Sequence, residues 1–138
     1  MSKFEDWLIL NKVKGFYFSW KEIEPNACTF SFKNAQTEYK LIVESFWRIL
    51  YYDEPYILST NATKSVQTDL LLKHSQDDFI IDTVTLAEGY VLRFLLKGKL
   101  VFEIPILTKN RSDYKGSLKP VWSFWEKDTL LVASPEYK

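Results

Sequence analysis

Cys28-Thr29-Phe30-Ser31-Phe32-Lys33, then Asn34-Ala35-Gln36-Thr37, then Glu38-Tyr39-Lys40-Leu41-Ile42-Val43: two alternating runs flank a short polar segment. In the first run Cys28, Phe30 and Phe32 fall on one face, and Thr29, Ser31 and Lys33 on the other. In the second run Tyr39, Leu41 and Val43 oppose Glu38, Lys40 and Ile42. Strand side chains repeat every two residues, so the apolar faces of a hairpin coincide in only one of two registers. The register that matches them sets Phe32 beside Tyr39, Phe30 beside Leu41 and Cys28 beside Val43. It also brings Lys33 opposite Glu38 and closes the loop over Asn34–Thr37. Hydrophobic matching and charge matching agree, and the chain reads as antiparallel β.

Toward the N-terminus, Phe16, Phe18 and Trp20 alternate with Tyr17, Ser19 and Lys21, which suits a strand or an extended lead-in that Pro25 ends. Before it, Ser2-Lys3-Phe4-Glu5 fits a capping box, and Phe4, Trp7 and Leu8 predict a short helix over about residues 3–11. Toward the C-terminus, Phe46–Tyr52 reads as a strand, Asp53-Glu54-Pro55 as a turn, and Tyr56-Ile57-Leu58 as renewed extension. Asn61 or Thr63 can cap a helix over roughly residues 63–75, with Val66 and Leu70 on its apolar stripe.

Phe79 to Leu107 reads as a three-stranded meander. A bulged loop with Gly89 at its left-handed position pairs Leu86 with Tyr90, Val84 with Leu92 and Ile80 with Leu96. Lys97-Gly98-Lys99 then aligns Leu96 with Leu100, Phe94 with Phe102 and Leu92 with Ile104. Residues 108–119 are a solvated loop by composition, and Val121–Trp125 with Thr129–Ala133 make a last hairpin. The expected architecture is α+β in one domain over residues 1–138: a curved or partly closed antiparallel sheet of about seven to eight strands, with two helices packed against it. A lipid-carrier type of β-barrel is the alternative.

Composition narrows the function. The 18 basic and 18 acidic residues cancel, and no basic run provides the electrostatic footprint of a nucleic-acid binder. No apolar stretch approaches a membrane span, and the acids Glu5 and Asp6 interrupt any leader-like run, so a cytoplasmic location is expected. Cys28 is the lone cysteine and reads as a buried hydrophobe, while His74 is the lone histidine and reads as solvated near a helix end. With the glycines scattered, no phosphate-cradling loop forms. No catalytic set, metal site or cofactor site is expected, and an enzyme ranks below a binding protein.

Three features invite a functional reading. Asp82 falls on the face of Ile80, Val84 and Leu86, which implies either a bulge that turns it outward or a carboxylate lining a pocket. Arg48, beside Phe46 and Leu50, is either a structural arginine or the polar handle of a surface. The turn Tyr51-Tyr52-Asp53-Glu54-Pro55-Tyr56 is either a packed hairpin end or a recognition surface, since tyrosines offer contact area at little entropic cost.

The run Leu41-Ile42-Val43-Glu44-Ser45-Phe46-Trp47-Arg48, a helical segment, then Leu92-Arg93-Phe94, Gly98-Lys99-Leu100, Glu103 and Trp122 to Trp125 resembles a diffuse group of small bacterial cytosolic proteins. That group includes immunity proteins of polymorphic and contact-dependent growth-inhibition toxins. The likeness spans residues 28–133 and implies a non-enzymatic protein that binds and neutralises a cognate toxin domain. Toxin-binding surfaces vary within such groups, so the resemblance assigns no residues. From the residues themselves, the candidate contacts are Tyr51, Tyr52, Asp53, Glu54 and Tyr56, with Asp77, Asp78 and Asp82 as a second, acidic patch. Acids there would complement a basic protein partner. A small apolar ligand in an aromatic-rich interior is the alternative.

Overall fold

A computed structural model of the chain describes residues 3–23, 27–59, 63–105 and 121–134. Ser2 with its capping box, Asn61 and the 108–119 loop lie outside the described residues. Helix α1 (Lys3–Leu10) runs through a 3-10 turn (Asn11–Val13) into β1 (Tyr17–Ile23), β2 (Cys28–Lys33) and β3 (Glu38–Val43). Then come β4 (Arg48–Tyr51), β5 (Glu54–Leu58) and α2 (Lys64–Lys73), followed by a 3-10 turn (Gln76–Phe79). Strands β6 (Ile81–Leu86), β7 (Leu92–Leu96), β8 (Leu100–Ile104), β9 (Trp122–Glu126) and β10 (Thr129–Ala133) complete the order.

The fold is α+β with two helices, but the expected single sheet of seven to eight strands is replaced by two antiparallel sheets of five. Sheet A has the order β1-β2-β3-β9-β10 and sheet B the order β5-β4-β8-β7-β6. Neither closes into the barrel of the alternative reading. They meet at one corner, where Ile81 N donates to Phe16 O at 2.9 Å and Gly15 N to Ile81 O at 2.8 Å.

The β2–β3 register is the one that apolar matching predicts, from Cys28↔Val43 to Lys33↔Glu38. The loop closes on Asn34, whose Oδ1 accepts from Gln36 N and Thr37 N at 2.8 and 2.9 Å. The alternation read at Phe16–Lys21 resolves as β1, which begins at Tyr17 and pairs Phe18 with Phe32. Each edge strand (β1, β5, β6 and β10) carries one extra residue against its neighbour: Lys21, Tyr56, Asp82 and Leu131 respectively. The internal pairings β2–β3, β3–β9, β4–β8 and β7–β8 are regular.

The inward faces of both sheets form one core. Walking along β2, Phe32 meets Phe94 of β7 at 4.8 Å, then Phe30 meets Phe102 of β8 at 4.5 Å and Trp47, just before β4, at 5.1 Å. One strand of sheet A thus packs across β7, β8 and the lead-in to β4 of sheet B. Helix α1 packs along β6, with Trp7 Nε1 donating to Val84 O at 2.7 Å. The Asp6 carboxylate accepts from the Tyr90 hydroxyl at 2.6 Å.

The β6–β7 hairpin corrects the sequence reading. Leu86 pairs with Leu92, Val84 with Phe94 and Ile81 with Leu96, two residues from the expected pairing at the loop end. The loop takes residues 87–91, closed by Ala87 N donating to Val91 O, and Tyr90 sits in the left-handed region at φ 58°. Tertiary contacts hold that conformation: the Asp6 bond, and the stack of Tyr90 on Trp122 with centroids 6.2 Å apart. Across β7–β8 the expected register stands, with Phe94 opposite Phe102 and Arg93 opposite Glu103.

Candidate functional site

The tyrosine turn is tighter than its sequence implies. Tyr52 and Asp53 occupy its two central positions at φ 51° and 64°, while Glu54 and Pro55 already belong to β5. Two left-handed residues match the twist of a two-residue hairpin, a role in which glycine or asparagine is usual and a tyrosine is strained. The hairpin is anchored by Tyr52 N donating to Lys99 O at 3.2 Å. Tyr52 is 65% exposed, Asp53 and Glu54 are exposed, and Tyr51 is at the border of exposure.

His74 corrects another expectation. Its side chain is only 6% exposed, with its ring edge-on to Tyr51 at 5.1 Å and to Phe79 at 6.1 Å. Tyr56 lies 6.1 Å away, and Nδ1 stands 3.5 Å from Asp78 Oδ2. The end of α2 is thereby bound to the β4–β5 hairpin. The Tyr51 phenol is pushed up, first by desolvation and then by Tyr52 and Asp78. Thr63 caps α2 by accepting from Val66 N at 3.2 Å, as read.

The predicted acids divide by role. Asp78 caps its own 3-10 turn by accepting from Ser75 N at 3.0 Å, and its carbonyl accepts from Gly98 N at 3.1 Å. It is a structural residue. Asp77 is exposed on the same turn. Asp82 does not point inward beside Phe94: it is the extra residue of β6 and is exposed, its Oδ2 accepting from Thr83 Oγ1 at 3.4 Å. A bulge relieves the cost of a buried carboxylate by rotating one side chain to solvent.

That rotation brings separate parts of the sequence together. Tyr52, Asp53 and Asp82 line one depression of about 260 Å³ with Lys97, Lys99 and the apolar floor of Leu95 and Val101. Among the described residues, neither Asp53 nor Asp82 forms an ion pair, although lysines share the depression. The floor belongs to the outer face of sheet B, where the sequence points to Arg48 and to the Arg93–Glu103 pair but not to Leu95 or Val101. Register fixes its rows: Leu50, Val101 and Leu95 lie side by side, and Arg48, Glu103 and Arg93 form the next row. Arg48 Nε donates to Glu103 Oε1 at 2.6 Å, and Arg93 Nε donates to Oε2.

Comparison with protein-family models, with curated proteins and with solved structures yields no match. Among the described residues no three of His, Cys, Asp and Glu are grouped to hold a metal ion. No described helix is long and apolar enough to cross a membrane.

Proposed function

We propose that the chain is a non-enzymatic protein-binding module whose contact surface is the β4–β5 turn and the depression beside it. The observation that carries this reading is the convergence of Tyr52, Asp53 and Asp82 around an apolar floor. An apolar centre with a charged rim and an exposed aromatic is the anatomy of a protein interface. The proposed contacts are Tyr52, Asp53, Glu54, Asp77 and Asp82, with Tyr51 and Tyr56 supporting the turn from within. The partner is a basic protein domain, and an immunity-type role against a toxin domain is the form that the family resemblance favours. The packed aromatic centre between the sheets speaks against the carrier alternative, because its rings touch one another at 4.5 to 5.1 Å across the sheet interface.

The test is affinity capture from the native host with the wild-type chain and with Asp53→Lys/Glu54→Lys. A stoichiometric basic partner held by the wild type and lost by the variant, at an unchanged melting temperature, is the expected result. A partner retained by both would move the contact surface elsewhere, and a variant that binds normally but melts early would make the turn purely structural.

A further inference from the structure

Beside the depression of the turn-centred reading, the outer face of sheet B carries a row of charged groups that the reading leaves unused. Glu103, at the centre of that face, is 1% exposed, and its two oxygens are taken by Arg48 and Arg93 from the strands on either side. Two guanidiniums against one carboxylate leave one positive charge uncompensated. Among the described residues no other acid pairs with either arginine. Both remain accessible, with side chains 34% and 50% exposed. Arg93 reaches Glu103 through Nε, its side chain is half exposed, and among the described residues no partner other than Glu103 is shown for its terminal amino groups. The guanidinium is held in one orientation before any ligand arrives, which lowers the entropic cost of a further bond.

Next to this row lies the partly exposed apolar row of Val101 and Leu95. Successive residues on one face of a strand are about 7 Å apart, so arginine donors and apolar surface are presented at that spacing. An acidic and an apolar side chain two residues apart on an extended segment match both rows at once.

We infer that this face is a docking surface for an acidic, extended segment of a partner protein, with the carboxylate received by Arg93 and Arg48 and the apolar side chain seated on Leu95 and Val101. Charge complementarity selects the carboxylate. A segment that alternates acidic and apolar side chains fills both rows at once, which the uniformly charged phosphate backbone of a nucleic acid does not. The inference goes beyond the turn-centred reading: the two share Leu95 and Val101 but are judged on different residues, Arg48 and Arg93 here and Asp53 and Glu54 there.

The experiment titrates the full chain at low salt with three probes: an octapeptide alternating Glu and Leu, its analogue with Gln for Glu, and an eight-nucleotide oligothymidylate. The Nε–Hε signals of Arg48 and Arg93 report binding. The Glu peptide is expected to shift both signals and to bind at least about tenfold more tightly than the Gln analogue, since a charged acceptor roughly doubles the bond strength. Equal affinity for the two peptides overturns the inference, as does oligothymidylate binding as tight as the Glu peptide. Arg93→Ala also loosens Glu103, so Thr85→Glu is the second variant. Thr85 is exposed and faces Arg93 across β6–β7, where a carboxylate would occupy the terminal donors of Arg93. It is expected to weaken the Glu peptide by about tenfold at an unchanged unfolding midpoint; unchanged affinity overturns the inference. Failure here leaves the turn-centred reading intact, because that reading is judged on the captured partner and the Asp53/Glu54 reversal.

Discussion

Glu103 shows how a single residue can be decisive on the solvent side of a sheet. Its carboxylate is 1% exposed and both its oxygens are held by arginines, so the three residues form one unit rather than two exchangeable surface pairs. Glu103→Ala is expected to destabilise the chain by about 3 kcal/mol, the low end for breaking a buried pair, because the arginines it releases can rehydrate. Arg93→Ala should cost less, since Arg48 still holds the carboxylate through two nitrogens. Denaturant midpoints will decide the order, and a larger loss for Arg93→Ala would contradict it. Tyr90 offers a second test at this scale. Its phenol is pushed up to about 12, first by the hydrogen bond to Asp6 and then by burial and the charge of Asp6. A group whose folded pKa is raised stabilises the fold below its unfolded pKa, near 10, and loses that contribution as pH rises toward the folded value. Stability should therefore decline between about pH 10 and 12 in the wild type. In Asp6→Asn the last-titrating tyrosinate absorbance should move to lower pH.

Among the elements, the β7–β8 turn leaves no room for a side chain at Gly98. A Cβ on Gly98 would lie 2.3 Å from Asp78 Cβ and 2.9 Å from its Cα, backbone that cannot step aside. Gly98→Ala should therefore cost about 1–3 kcal/mol by overpacking, and would separate Asp78 from the turn that borders the depression. Circular dichroism melts against Lys97→Ala, an exposed neighbour, would isolate the steric effect. The same elements show what a sequence conveys. The β2–β3 hairpin was legible because its alternation and its Lys33–Glu38 pair are local. The β6–β7 register was not, because Tyr90 takes its left-handed conformation from Asp6 and Trp122, residues distant in the chain. Asp82 was flagged by its mismatch with the alternation, and the bulge resolves that mismatch. Of the candidate surface, the tyrosine turn could be read from its composition. The Arg93–Glu103 half of the outer row follows from the local β7–β8 register, whereas the inward packing of His74 and the addition of Arg48 depend on which distant strands become neighbours, which no local pattern encodes.

At the scale of the whole molecule, the division into two sheets follows from the pairings β3–β9 and β4–β8, each joining strands far apart in sequence. Consecutive hairpins alone are equally compatible with one continuous sheet, which is why the second layer was not anticipated. The layers are locked where Phe102 meets Phe18, Phe30, Trp47 and Phe94. Phe102→Ala is expected to cost about 3–5 kcal/mol, read by calorimetry as a lowered unfolding midpoint. The extra residues at Lys21, Tyr56, Asp82 and Leu131 have a consequence for how copies of this chain behave in a crowd. A straight edge strand is a template on which a second chain can align its backbone and begin a fibril, and an aromatic-rich sequence favours such stacking. One misfit residue in each outer strand breaks the repeat of unpaired amides, so a would-be partner strand loses register after a few bonds. Deleting Asp82 should shorten the lag before amyloid-dye fluorescence rises in concentrated, agitated solution, whereas Asp82→Asn, which keeps the extra residue and loses only the charge, should leave that lag close to the wild type.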